Sequence, residues 1–546
     1  MNSVIDASSV NPRIALDNNV YQALVTIVGV EYITVAQETL NIYQTATFTH
    51  SNIVFAVVFP CSTEEIRDIL LLCGLHKIKV FPISAGKNWG LGSAVPSSRG
   101  AIVLDLSRMN KILDYNEELS YITVQPGVTF KAVFNFLKEK NSRLFLAMIG
   151  GPADASLIGN AVERGDGVGP YGDRAFNISN FEVILGDGTV LPVGYSAFGF
   201  DKIAALTPHA LGPDLHGLFL QSSFGIVTRM TFWLRPKPKV FHGFVFKMNK
   251  GTDCSRLMSS LRHLQAAGVI KPNSFALWNV WKVIAGQMRY PWGKTNDVVL
   301  PHTQLRSFLP RMWAHTEWCG YIALYSPDLA HARATEKLLK RELAGKTDGH
   351  FPLNSFMRFL GNILHSPIQL FFKFNTRKFF DSFYENSVAL GTPIDMNVGS
   401  LYWRKKHPPQ LLKDPHSDAC GLHWLCHVVP FTSQDIQTVN AILEEVTLKY
   451  HFEPNVAFLN TSERIMRMFA IIAYDREVHG EDEQALSCVK ECNQRLIEAG
   501  YPPFRVGIQL MNDSPASDIH YKFFIDKIKD LSDANHTLSS EKYSPR

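Results

Sequence analysis

The chain has 546 residues, of which 46% are apolar and 19% charged, and a formal net charge of +4. That length exceeds what one hydrophobic core serves and suits two domains, in a composition typical of soluble globular proteins. The surplus charge forms no basic stripe, which argues against nucleic acid as a partner, and no apolar run reaches the length of a membrane span.

In chain order, the first residues, Met1-Asn-Ser-Val-Ile-Asp-Ala-Ser-Ser, lack the basic region and apolar block of a signal peptide. Val54–Pro60 reads as a strand. Ser62-Thr-Glu-Glu is a capping pattern, after which Ile66, Ile69, Leu70 and Cys73 recur at helical spacing. Ile78–Ile83 restores a strand, so a β-α-β unit delivers the chain to Ser84-Ala-Gly-Lys-Asn-Trp-Gly-Leu-Gly92. Glycines there let backbone N–H groups converge on an anion, and Lys87 adds a positive charge suited to phosphate. The spacing is neither a Rossmann turn nor a P-loop. Tyr121–Val124 leads through Pro126-Gly127 to a helix over 130–140. The glycine-rich stretch 150–173 carries Ile158, Val162 and Tyr171, which suits an ordered coil around a large ligand better than a linker. Gly225 opens an alternating strand, and Pro236 and Pro238 close it at a plausible domain boundary.

Beyond that boundary, Phe356–Phe374 is rich in large apolar residues interrupted by Pro367. It reads as buried core or subunit contact ahead of a membrane-surface helix. The eight cysteines lack paired Cys-x-x-Cys spacing, which points to a reduced, cytoplasmic protein. His416, His423 and His427 are spaced unlike a zinc site, so no metal is expected, and no Gly-x-Ser-x-Gly nucleophile motif occurs.

Together, Pro82-Ile-Ser-Ala-Gly-Lys-Asn88, Gly159-Asn-Ala-Val-Glu-Arg-Gly165 with Pro170-Tyr-Gly-Asp173, and Gln221-Ser-Ser-Phe-Gly-Ile-Val-Thr228 resemble the three FAD-binding segments of the vanillyl-alcohol oxidase/p-cresol methylhydroxylase family. The likeness is to its 4-alkylphenol-oxidising branch. It implies an α+β, two-domain FAD-binding fold of the p-cresol methylhydroxylase type with a mixed-sheet substrate (cap) domain. The implied division is 1–236 for FAD, 237–498 for the cap, and a C-terminal return to the FAD domain over 499–546.

The resemblance assigns FAD contacts to Ser84, Ala85, Gly86, Lys87, Asn88, Gly90 and Gly92, to Gly151, Ser156, Gly159, Asn160, Arg164, Gly169 and Tyr171, and to Gly225, Ile226 and Val227. Arg505 matches the family's phenolate-binding arginine. The tyrosines expected beside it are replaced by Phe504 and Leu91, and a further aromatic position is Val168. Each missing hydroxyl removes a charge-assisted hydrogen bond of about 1.5–3 kcal/mol, so the pocket reads as more apolar than a phenol site. Gly151 stands where the acid beside flavin N5 is expected, which makes Asp154 the candidate acid, while Asp166 reads as a loop residue. His427 is a candidate acid/base group. Asn88 occupies the position of a histidine tether used elsewhere in the superfamily. In the cap, Leu422 falls at the branch's linking position with His423 one residue on, so covalent attachment of FAD stays open; a one-residue slip in a strand turns a side chain to the other face. Both histidines also read as structural. In the tail, Lys542 is a candidate for the flavin N1/C2 carbonyl region, although the family's prolines and glycines there are lost.

The implied function is an FAD-dependent oxidoreductase moving hydride from a small aromatic or largely apolar alcohol, or an alkylphenol-like substrate, to flavin N5. Oxygen or a redox carrier would accept the electrons. A dehydrogenase or hydroxylase serving a cytochrome, and a flavin-binding protein with lapsed chemistry, are the alternatives. Homo-oligomerisation stays open.

Overall fold

The computed structural model describes residues 16–544, except 250, 294, 296–297, 310–312, 314, 373–374, 396–397 and 540. Among the described residues, three large sheets and a two-stranded pair, Leu144–Phe145 with Arg235–Pro236, organise the chain. The first has the order Ile33–Thr34, Val54–Val58, Ala101–Asp105, Lys79–Ile83, with parallel pairing among the last three. The predicted β-α-β unit lies here. Its helix, Thr63–Leu75, starts where the Ser62 side chain accepts from Glu65 N at 3.2 Å. The helix buries Ile66, Ile69, Leu70 and Cys73 against the sheet, so the capping pattern fixes its start and the apolar spacing fixes its face.

The second sheet runs Ile112–Asn116, Tyr121–Val124, Gly225–Trp233, Ile178–Leu185, Val190–Pro192 and is antiparallel. The helix Phe130–Glu139 covers it with Phe130, Val133 and Leu137, and Thr129 caps that helix by accepting from Ala132 N at 3.1 Å. Ile226 packs into the first core and Val227 into the second. The two flavin sheets are therefore joined through one strand.

The third sheet has eight strands: Gly349–Leu353, Val240–Asn249, Thr316–Ser326, Phe275–Asn279, Asn455–Asn460, Ile465–Asp475, Cys420–Pro430 and Pro503–Arg505. Every pairing in it is antiparallel. Helices Ser255–Ala266, Ser433–Lys449 and Glu481–Glu498 bury apolar side chains against one face and make the largest core of the molecule. The opposite face of Cys420–Pro430 meets the glycine loop. Pro503–Arg505, past the expected end of the cap, is the edge strand of this sheet.

The chain then returns to the first sheet. Leu538 bridges Val80 in parallel, with Val80 N donating to Thr537 O at 2.8 Å and Ser539 N to Val80 O at 3.0 Å. Fully buried Asp533 fixes this tail: it accepts from the N–H groups of Thr537 and Leu538 and pairs with Lys529 at 2.7 Å. Among the described residues no helix is long and apolar enough to cross a membrane.

The stretch Phe356–Phe374 departs from expectation. Its described part forms two short helices, Ser355–Ile363 and His365–Phe372, with a break at Leu364, and several of their large apolar side chains face outward. Residues 373 and 374 lie outside the described set.

Candidate active site

The glycine loop leaves the strand Lys79–Ile83 and turns by positive φ at Gly86 (+62°), Gly90 (+77°) and Gly92 (+131°). A Cβ at Gly90 would collide with Trp424 Cδ1, so glycine is needed both for the turn and for the approach to the cap strand. Gly90 N donates to Thr47 Oγ1 at 2.9 Å, whereas the N–H groups of Gly86, Lys87 and Asn88 have no acceptor among the described residues. Such a run of free donors next to a strand end is an anion cradle. Lys87 itself turns to the cap, 3.8 Å from Asp414 Oδ2 and over the Trp89 ring. Its charge is therefore shared with a carboxylate.

The second segment approaches from the other side. Ser156 caps the short helix Leu157–Val162, accepting from Gly159 N at 2.9 Å and donating to Pro126 O at 2.6 Å. A Cβ at Gly159 would sit 3.4 Å from Ser84 Oγ, so this glycine lets the two segments meet. Asn160 accepts from Arg174 Nε at 3.4 Å, and Arg164, at φ +49°, keeps a buried Nε without a partner. Gly169 belongs to the cap junction, its N–H donating to Asn273 O at 2.6 Å. Tyr171 lies under the Arg235 guanidinium, which also donates to its hydroxyl at 3.2 Å. Gly225 packs against Val183 with no room for a side chain. Gly151 is half-buried beside Ile149, and Ala85 is half-buried in the glycine loop.

Glu163, which the resemblance pairs with Arg164 in a structural rather than catalytic role, is the hub of the site. Lys542 and the Tyr543 hydroxyl reach its carboxylate, and Arg505 Nε stands 3.9 Å from it. Arg505 also donates to Asn88 Oδ1 at 2.7 Å. Gln221 of the third segment donates to Glu163 O at 3.3 Å and to Phe504 O at 2.8 Å. All three predicted flavin segments, the cap-edge strand and the C-terminal tail thus converge on one spot. Burial alone would raise the Glu163 carboxyl, but the charges of Lys542 and Arg505 outweigh it and hold it below the usual range. One carboxylate then faces two cations in a largely buried setting, and the remaining positive charge calls for an anion. Arg505 Nε is buried, stands in that ion pair with Glu163 and makes no hydrogen bond among the described residues.

Beside this hub, Arg467 pairs with Asp166 at 2.5 Å and with Asp173 at 3.1 Å, and stacks over Phe504. Phe504 packs edge-on against Phe469, and Phe469 stands opposite Cys426 in the sheet. The cap side of the site is therefore aromatic and apolar, with cations behind it. Burial pushes Asp166 up to about 6 against the opposing pull of Arg467.

The register of Cys420–Pro430 places two of the candidate histidines. Leu425 and Val429 belong to the helix-covered core, and alternation puts His423 and His427 on that same face. His423 is sandwiched between Phe48 and Tyr474, takes a 3.2 Å contact from Gln509 Nε2, and is pushed down to about 3 by burial. His427 is likewise buried away from the flavin segments and pushed down to about 3. Gln509, which also donates to Gly90 O at 3.2 Å, links His423 to the glycine loop, and Leu422 and Trp424 present their side chains toward Gly90. Asp154 is exposed between buried Ala153 and Ala155. No group of three or more His, Cys, Asp or Glu that could hold a metal occurs among the described residues.

The residues fit FAD: free loop donors, three left-handed glycines, excess positive charge, and buried Arg505 and Arg164 nitrogens that make no hydrogen bond among the described residues. Residues 55–194 match the family model of an FAD binding domain. The chain is 34% identical over 524 residues to the 1'-carboxy-chondrochloren decarboxylase of Chondromyces crocatus, covering 95% of this chain and 96% of that one. It is 26% identical over 475 residues to the 4-cresol dehydrogenase [hydroxylating] flavoprotein subunit of Pseudomonas putida, covering 84% and 81% of the two chains. The crystal structure of p-cresol methylhydroxylase with substrate bound superposes with a TM-score of 0.84 at 24% identity over 97% of this chain and 96% of that one. The chain belongs to the vanillyl-alcohol oxidase/p-cresol methylhydroxylase family of flavoproteins. As a member of this family it carries the two-domain α+β fold, takes FAD as its cofactor and is an FAD-binding oxidoreductase.

A direct consequence concerns Gly90. Gly90→Ala forces both a strained φ and a collision with Trp424, so FAD affinity should fall at least about tenfold. Gly212 has φ +91° but nothing within 4 Å of a Cβ, so Gly212→Ala should keep its flavin. The ratio of visible to ultraviolet absorbance after desalting checks both.

Proposed function

We propose that the protein transfers hydride from a carbon of a small, largely apolar aromatic substrate to FAD, and that Arg505 holds an anionic group of that substrate. The observation that carries this reading is the buried Arg505 Nε, without a hydrogen bond among the described residues, in a cluster with one positive charge in excess, beside the Phe504–Phe469 wall. FAD bound here supplies the two-electron acceptor. Arg505 and Asn88 orient the substrate against it, Glu163 and Lys542 lock Arg505 in place, and the aromatic wall excludes water. With Leu91 and Phe504 in place of tyrosines, a phenolate would rely on Arg505 alone, so a carboxylate, which accepts the guanidinium fork in two bonds, suits the site better than a simple 4-alkylphenol.

A second reading is supported by the likeness to a decarboxylase. Hydride leaves one carbon while the neighbouring C–COO⁻ bond breaks; its electron pair becomes the new C=C bond and CO2 departs. The two electrons of the hydride go to FAD, so the step balances without another oxidant. Mixing the flavoprotein anaerobically with arylpropanoates, benzylic alcohols and 4-alkylphenols separates the readings. Bleaching of the flavin band with CO2 release supports oxidative decarboxylation, and bleaching without CO2 supports plain dehydrogenation. No bleaching with any carboxylate sinks the proposal. Reoxidation by oxygen against a dye then assigns the acceptor.

Noncovalent FAD is part of the same proposal, because Leu422 has no nucleophile and His423 faces the helix-covered core. Acid precipitation should release the flavin band into the supernatant. A band that stays with the pellet would overturn this point. A cytoplasmic setting is supported by eight free cysteines.

A further inference from the structure

On the cap, far along the chain from the flavin segments, Phe356, Phe359 and Ile363 recur at helical spacing on Ser355–Ile363 and are 59–68% exposed. Leu370 and Phe371 of the next helix add to them at 76% and 61%. The inner face is held tightly: Thr376 Oγ1 donates to Gly361 O at 2.6 Å, a Cβ at Gly361 would touch Phe380, and Phe379, Phe380 and Met357 pack with Phe351 and Leu353. The outward face is thus a built surface on an anchored helix pair. Soluble monomers seldom leave so many large apolar side chains exposed together without a partner.

The charges choose the partner. From Ser355 to Phe380 the sequence holds Arg358, Lys373, Arg377 and Lys378 and no Asp or Glu. Arg358 is neutralised by Glu385 and Asp381, while Arg377 and Lys378 are exposed. Beside the helices opens a cavity of about 570 Å³ lined by His365, Asn375, Arg377, Lys378, Asp381 and Asn386, with room for a phosphate headgroup. A two-fold contact between copies of this face would bring the like charges of Arg377 and Lys378 from both copies into one interface. A bilayer rich in acidic lipids satisfies both features, taking phenylalanine and leucine side chains at the acyl boundary and cations at the headgroups.

We propose that the Ser355–Phe372 helix pair, with Arg377 and Lys378, docks this flavoprotein on the surface of an anionic membrane. The protein lies on the bilayer and does not span it.

Vesicle flotation of the full-length holoenzyme tests this. One set of vesicles is phosphatidylcholine alone, the other contains about one-third phosphatidylserine. The holoenzyme should float with the acidic vesicles, stay down with the neutral ones, and detach as salt rises. Arg377→Glu with Lys378→Glu, and separately Phe359→Ser with Phe371→Ser, should each lower flotation at least about tenfold while the flavin band is kept. Absence of flotation with acidic vesicles overturns the proposal, as does flotation indifferent to both variant pairs. A dimer by analytical ultracentrifugation that the phenylalanine pair abolishes, without vesicle binding, would assign the face to a second copy of the chain instead.

Discussion

Arg505→Ala should lower kcat/KM by roughly two hundredfold, about 3 kcal/mol, while leaving FAD bound. The expectation follows from the uneven charge of the hub. Glu163 keeps Lys542 and Tyr543 when Arg505 is lost, and the loop donors of Gly86–Asn88 are untouched, so the cofactor cradle survives. What disappears is the guanidinium proposed to hold the substrate anion, with its buried Nε. Arg505→Lys keeps the charge but loses the planar fork and the bond to Asn88, so it should recover part of the rate and little of the discrimination between carboxylate and alcohol substrates. Whichever substrate bleaches the flavin serves for the assay. A variant with unchanged kcat/KM, or one that simply sheds its flavin, would give Arg505 a structural role and remove the basis for an anionic substrate.

The hub also marks where sequence reading stops. The β-α-β unit, the helix after Pro126-Gly127 and the strand after Gly225 were legible because each is written locally, in a cap and a periodicity. The glycine loop was legible because its residues need left-handed backbone. Glu163 was not legible as a hub, since its decisive partners Arg505, Lys542 and Tyr543 lie more than 300 residues away and only the fold brings them together. His423 and His427 show another limit. Alternation says that they share a face, but which face looks at the flavin depends on helices packed from elsewhere in the chain. The tail has lost the family's prolines and glycines, yet Asp533 holds its turn through buried bonds and the pairing of Leu538 with Val80 ties it to the first sheet.

Arg467→Met should be the most destabilising single change, at about 3–5 kcal/mol. Arg467 is the shared counter-ion of Asp166 and Asp173, whose loop strands bridge each other, and all three side chains are almost fully buried. Methionine fills the volume but leaves the two carboxylates only the longer-range attraction of buried Arg174, and Asn273, donating to Asp166 Oδ1 at 3.0 Å, cannot replace the lost charge. Desolvation already dominates in the wild type, lifting Asp166 from 3.8 to about 6 and raising Asp173 too. The sign follows: a carboxyl raised in the folded state contributes stability that is full below about pH 4 and is lost as pH climbs toward 6, here about 3 kcal/mol from Asp166. Asp166→Asn, which stays neutral throughout, should therefore flatten the fall in stability between pH 4 and 7, whereas Arg467→Met should steepen it. Urea unfolding followed by tryptophan fluorescence at both pH values reads the two slopes. Parallel slopes for wild type and Asp166→Asn would show that the Arg467 pairing, and not the burial of Asp166, governs this junction between the second flavin segment and the cap.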